Sequence, residues 1–127
     1  MIRVLAIDDE EDMLELIKLQ LEATGGFNVK TESDSSRALS AAREFGPDVI
    51  LLDIMMPKVD GSEVAAQFKT ASDLKNVPLI FLTALVTQHE TKTGSFAGGP
   101  RTYLPKPIDW NQLVTTIQNS LSTAKRV

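Results

Sequence analysis

Three aspartates, one threonine and one lysine each stand just after a short apolar run. Asp8 and Asp9 follow Ile2–Ile7, Asp53 closes Val49–Leu52, Thr83 follows Leu79–Leu82, and Lys106 comes soon after Tyr103-Leu104. Taken singly, each has an ordinary explanation: Asp8 and Asp9 as helix caps, Asp53 as a loop cap, Lys106 as a solvated lysine. Brought together, they have a chemistry. Close carboxylates repel one another, and a hard divalent cation such as Mg2+, which takes six oxygens, is the natural remedy. Asp8, Asp9 and Asp53 suit that role, and the backbone carbonyl of Met55 could add an oxygen. No cysteine is present and the one histidine, His89, lies elsewhere, so a metal that selects thiolate or imidazole is not supported. An aspartate is also a competent nucleophile toward phosphorus. Phosphoryl transfer depends mostly on positioning and charge neutralisation. Lys106 would place a positive charge on one phosphoryl oxygen, Thr83 would donate a hydroxyl hydrogen bond to another, and small Ala84 would leave room.

These residues can meet only if particular elements place them together. Ile2–Ile7 and Val49–Leu52 are nearly continuous apolar runs, which points to strands covered on both faces, as in a parallel sheet. From about Glu10 to Thr24 the period is helical, with Leu14, Ile17 and Leu21 on one stripe, Met13 and Leu16 beside it, and Gly25-Gly26 as the stop. Phe27–Glu32 reads as a more exposed strand. Asp34 or Ser35 can cap a helix reaching Glu44, with Ala38, Leu39, Ala42 and Phe45 inward and Gly46-Pro47 after it. A third helix is expected from about Ser62 to Thr70, with Val64, Ala65 and Phe68 inward. Leu79–Leu82 and Tyr103-Leu104 supply two further strands, and Asp109 caps a last helix with Leu113, Val114, Ile117 and Leu121 buried. Trp110 is expected to pack on the neighbouring surface. Between Val86 and Arg101 a helix is expected but poorly encoded, because Thr87, Thr91, Thr93, Gly94 and Ser95 are indifferent or poor helix formers and Gly98-Gly99-Pro100 closes the stretch. Five alternations of strand and helix with right-handed crossovers make an α/β fold: an open parallel sheet with helices on both faces. In such sheets the site lies at the carboxyl ends of the strands, near the reversal of strand order. All five polar residues fall on that edge.

The 127 residues suit a single domain, 1–127, large enough for a real core. A 43% hydrophobic and 24% charged composition is that of a globular chain. The formal charge of −4 is a poor match for direct nucleic-acid binding, and the longest apolar runs are strand-sized, so no membrane span is expected. The first residues do not form a signal peptide, which leaves a cytoplasmic location as the expectation.

Ile7-Asp8-Asp9-Glu10, Leu52-Asp53-Ile54-Met55-Met56-Pro57-Lys58-Val59-Asp60-Gly61, Leu82-Thr83-Ala84 and Tyr103-Leu104-Pro105-Lys106-Pro107 together closely resemble the receiver domain of two-component response regulators. The resemblance spans essentially the whole chain, in order. It implies a flavodoxin-like, doubly wound (βα)5 sandwich whose five-stranded parallel sheet has the order 2-1-3-4-5. By the same resemblance Asp53 is the phosphoacceptor, Asp8 and Asp9 hold Mg2+, and Thr83 and Lys106 contact the phosphoryl group. Tyr103 takes the place of a rotating aromatic that turns inward as Thr83 moves, and the Lys106-Pro107 bond is expected to be cis. The phosphoryl donor would be a phosphohistidine on a sensor histidine kinase or a histidine phosphotransfer protein, docking near the first helix. The output would be a changed surface on the fourth helix, fifth strand and last helix, read by a protein target or by an output domain absent from this chain. A homodimer through that surface is a further option, though no apolar patch marks it.

Other readings fit less well. A haloacid-dehalogenase-like phosphatase would want a second aspartate where Met55 stands, and no insertion builds a substrate pocket. A flavodoxin-like cofactor site would want a Ser/Thr/Gly loop where Asp8-Asp9-Glu10-Glu11-Asp12 would repel phosphate. A receiver-like interaction module that is never phosphorylated would not need Asp53, Thr83 and Lys106 intact. The pattern departs from the family at Gly94 and Gly98-Gly99-Pro100, and at Met55 and Leu85, where polar side chains often touch the attacking water. With both apolar, nothing polar orients that water. The expected outcome is an aspartyl phosphate that decays slowly, by about tenfold relative to receivers with acidic or amide residues at these places. Following the phosphorylated mass with time measures this, and an equally short half-life would refute it.

Overall fold

The computed structural model describes residues 1–54, 61–83, 95–96, 99–100 and 102–124. Strands β1 (Ile2–Ile7), β2 (Phe27–Glu32), β3 (Val49–Asp53), β4 (Leu79–Thr83) and β7 (Thr102–Pro105) form one parallel sheet in the order β2-β1-β3-β4-β7. This is the order 2-1-3-4-5 of the five main strands. Helices α1 (Glu11–Ala23), α2 (Ala38–Phe45), α3 (Gly61–Thr70) and a C-terminal helix (Trp110–Ala124) flank it. The remaining described strands, β5 (Ser95–Phe96) and β6 (Gly99–Pro100), pair antiparallel with each other.

Strict alternation along the central strands divides the core in two. Leu5, Ile7, Ile50, Leu52, Phe81 and Tyr103 point to the face covered by α2 and α3, where Ala38, Ala41, Ala42, Val64, Ala65 and Phe68 meet them. Val4, Ala6, Val49, Leu51, Ile80, Leu82 and Leu104 point to the other face, against Leu14, Ile17 and Leu21 of α1 and Leu113 and Ile117 of the C-terminal helix. Successive Cβ atoms of a strand alternate across the sheet, so a strand covered on both sides must be apolar at every position. All five residues of β3 are buried.

Helix ends follow local chemistry. Gly25 and Gly46 adopt positive φ (88° and 66°), a conformation that costs glycine little, and so end α1 and α2. The Asp34 carboxylate accepts from the Ser36 N–H at 3.0 Å, but it caps a 3₁₀ turn (Ser35–Arg37) that precedes α2 and not the α-helix itself. Asp109 Oδ1 accepts from the Gln112 N–H at 3.1 Å at the start of the C-terminal helix, and Trp110 packs half-buried on the core beneath. Expected inward residues Leu39 and Phe45 are only partly buried, whereas Ala41 is fully in the core. Packing two helices on one sheet face favours the small side chain nearest the sheet.

The expected helix of residues 86–101 falls mostly outside the described residues. Within that stretch, Phe96 pairs with Gly99 and Ser95 with Pro100. Gly99 and Pro100 are the poorest of helix formers, and a short ladder requires nothing of helix propensity.

Two leucines of α1 test the burial pattern. Leu21 is 1% exposed and Leu19 is 67% exposed. Leu21→Ala should destabilise by about 2–5 kcal/mol, and Leu19→Ala should stay within about 0.5 kcal/mol, as read by urea midpoints.

Candidate functional site

Register places the site. Ile7 of β1 pairs with Leu52 of β3, so Asp8 and Asp53, one residue further along each strand, emerge side by side. Asp53 pairs with Leu82, and Thr83 with Pro105, so Thr83 and Lys106 end β4 and follow β7 on the same edge. The chain passes from β1 outward to β2 and then crosses to β3 on the other side of β1, which makes the β1/β3 boundary the place where strand order reverses.

Asp8 and Asp53 are buried and Asp9 is exposed. One carboxylate oxygen from each lies within 4.8 Å of the others. Lys106 reaches into this group: its Nζ donates to Asp8 Oδ2 at 3.0 Å and lies 3.5 Å from Asp53 Oδ1 and 3.9 Å from Glu10 Oε1. The other Asp8 oxygen accepts from the Glu10 N–H at 3.0 Å, closing a tight turn into α1. Burial pulls the Lys106 ammonium down, but the hydrogen bond to Asp8 and the charges of Asp8, Asp53 and Glu10 outweigh it and hold it above the ordinary lysine range. Lys106 therefore stays cationic at neutral pH.

An all-oxygen donor set of three carboxylates, two of them buried, fits a hard divalent cation of the Mg2+ type and offers nothing to a softer metal. Such a cation and Lys106 would share the work of neutralising three negative charges. Met55, whose carbonyl was expected to join them, lies outside the described residues, as do Ala84, Leu85 and His89. Thr83 is placed by its backbone as the last residue of β4.

Tyr103 is buried, and its ring stacks on Phe81 with centroids 5.0 Å apart and planes 17° from parallel. The two are register neighbours on β4 and β7 and point to the same face. The Lys106-Pro107 peptide bond is cis. Sequence reasoning did not foresee that Glu10 would reach Lys106 or that Phe81 would hold Tyr103. A signal existed for each: Glu10 follows the aspartate pair directly, and Phe81 lies opposite Tyr103 once the strands are aligned by their final polar residues.

The chain thus has a doubly wound parallel sheet with a buried acidic group and a lysine at its switch point. Residues 4–118 match the family model of the response regulator receiver domain, and the chain belongs to that family. It is 34% identical over 121 residues to the polar-differentiation response regulator DivK of Brucella ovis, covering 95% of this chain and 97% of that one. It is 32% identical over 125 residues to the DNA-binding dual master transcriptional regulator RpaA of Synechocystis, covering 98% of this chain but only 51% of RpaA. The chain thus spans about half the length of RpaA, and likewise 52% of the response regulator MprA of Mycobacterium leprae. Among solved structures, the chemotaxis protein CheY4 of Vibrio cholerae superposes with a TM-score of 0.82 at 30% identity, covering 95% of this chain and 99% of that one. A response regulator receiver domain protein from Clostridium thermocellum gives 0.83 at 29% identity, with 98% of each chain covered. Receiver domains are signalling modules of two-component systems and not enzymes that turn over a substrate. No helix among the described residues is long and apolar enough to cross a membrane.

The lysine can be tested without any phosphoryl donor. Lys106→Met removes a cation whose side chain is only 14% exposed and leaves Asp8 and Asp53 facing each other. In metal-free buffer at pH 7 the expected loss is about 3 kcal/mol. Urea midpoints of the variant and wild type measure it.

Proposed function

We propose that residues 1–127 act as a phosphorylation-activated receiver, with Asp53 as the phosphoacceptor. The observation that supports this most strongly is the convergence of Asp8, Asp9 and Asp53 within 4.8 Å, with Lys106 against two of them, at the carboxyl edge of the sheet. An Asp53 carboxylate oxygen forms the new P–O bond while the P–N bond to the donor's histidine breaks, and the imidazole leaves. The donor is a phosphohistidine on a sensor histidine kinase or a histidine phosphotransfer protein. Asp8, Asp9, Asp53 and the Met55 carbonyl would hold a Mg2+ ion, which would supply positive charge for the phosphoryl group. Lys106 turns its ammonium from the carboxylates toward a phosphoryl oxygen, and Thr83 donates its hydroxyl hydrogen bond to another. Burial of Asp53 keeps bulk water from the mixed anhydride.

The signal passes through a population shift between two arrangements of the sheet edge. Tyr103 already lies inward on Phe81, so phosphorylation need only favour an arrangement the chain can reach unaided. The changed surface around β7 and the C-terminal helix is then read by a protein target or by an output domain of a longer protein.

Intact-mass spectrometry after incubation with acetyl phosphate tests the chemistry. A single phosphoryl adduct that requires Mg2+ and is absent from Asp53→Asn is the expected outcome. Folded wild-type protein that acquires no adduct from acetyl phosphate or from a panel of histidine kinases would leave a phosphorylation-independent interaction module as the better reading.

A further inference from the structure

The Glu10 carboxylate is an acid at the site with no structural task of its own. Glu10 occupies the N-cap position of α1, but its side chain makes no capping hydrogen bond; the cap is built by its backbone. Its carbonyl accepts from the Met13 and Leu14 N–H groups, each at 3.1 Å, and its own N–H donates to Asp8. The side chain is 66% exposed, and its Oε1 lies 3.9 Å from Lys106 Nζ. It therefore stands at the solvent side of the ammonium whose other sides face Asp8 and Asp53. Asp9, Glu11 and Asp12, all exposed, extend the same negative charge along the rim.

We propose that Glu10 is a specificity-determining residue for the phosphoryl donor, a counter-charge at the mouth of the site that disfavours small anionic donors. The inference rests on Asp53 being the phosphoacceptor. A free acyl phosphate must bring its negative charge past Glu10 and compete with it for Lys106. Two unit charges about 4 Å apart in water change an equilibrium by about fivefold, and exposed charges are screened by salt. A protein donor meets a different balance, because cationic side chains around its phosphohistidine can pair with Glu10 and its acidic neighbours and turn the same charge into an attraction. The occupant that fits this rim is thus a phosphorylated protein surface with basic residues beside the histidine. Free acyl phosphates are the donors it excludes.

The test compares phosphorylation rates of wild type, Glu10→Gln and Glu10→Lys with acetyl phosphate at saturating Mg2+, with the Mg2+ dependence measured for each variant. Glu44→Gln, an equal charge change on an exposed position at the far end of α2, is the control. At low ionic strength Glu10→Gln should react about threefold to tenfold faster than wild type and Glu10→Lys faster still, while Glu44→Gln should not differ. The advantage should shrink toward unity in about 0.5 M salt. It should also be smaller with phosphoramidate, which carries less negative charge than acetyl phosphate. Urea midpoints of Glu10→Gln and wild type should coincide, which a structural role would not allow. Equal or slower phosphorylation of Glu10→Gln, or a gain that salt leaves untouched, would overturn the proposal. Absence of any Asp53 adduct in every variant would instead overturn the phosphoacceptor reading on which it rests.

Discussion

Placing several carboxylates at one point of a protein is electrostatically unfavourable, and the fold concentrates that cost at the β1/β3 boundary. Asp8 and Asp53 are buried there, with Asp9 beside them in solvent. Among the described residues the Lys106 ammonium pairs with both buried acids from across the sheet edge. The rest of the architecture serves this arrangement. β3, with every residue buried, anchors Asp53 in a rigid strand. β7 delivers the lysine from two strands away. The three carboxylates offer an all-oxygen donor set, which suits a hard cation.

One strand ties the acidic site to the core. Lys106 and Tyr103 belong to one short stretch, three residues apart, and lie on opposite sides of its function: one faces the acids, the other stacks on Phe81 in the core. Thr102–Pro105 forms β7, an edge strand paired with β4 in the main sheet. An edge strand bonded on one side gives way more readily than a central one. The strand that precedes the lysine is thus one of the two edges of the sheet, β2 being the other.

The acidic rim has two opposed consequences. It deepens the need for a cation within the site, and it repels anions that approach from outside. Asp8, Asp9 and Asp53 converge from two strands, whereas Glu10 stands beside Lys106 and Glu11 and Asp12 lie in the first turn of α1, where their negative charge faces the positive end of the helix. Asp8 and Asp53 are buried and interact through little solvent, whereas the exposed acids, Asp9 included, are screened.

Much of this was legible in the chain. Nearly continuous apolar runs in β1 and β3 point to cover on both faces and so to a parallel sheet, and the helical periods of α1 and α3 identify Leu14, Ile17, Leu21, Val64, Ala65 and Phe68 as core. The polar residues that end the strands could be picked out because all five fall on the same edge of one sheet. Helix start and stop were less legible: Asp34 caps a 3₁₀ turn first, and Leu39 yields its inward place to Ala41, because the space between helix and sheet belongs to both partners. The pairing of Ser95–Phe96 with Gly99–Pro100 has no periodic signal at all. What only the tertiary structure decided is distance and competition. The chain order states that Lys106 lies 98 residues from Asp8. Strand register, set by the packing of the whole sheet, is what brings its ammonium to 3.0 Å from Asp8 and leaves Glu10 as its third carboxylate neighbour.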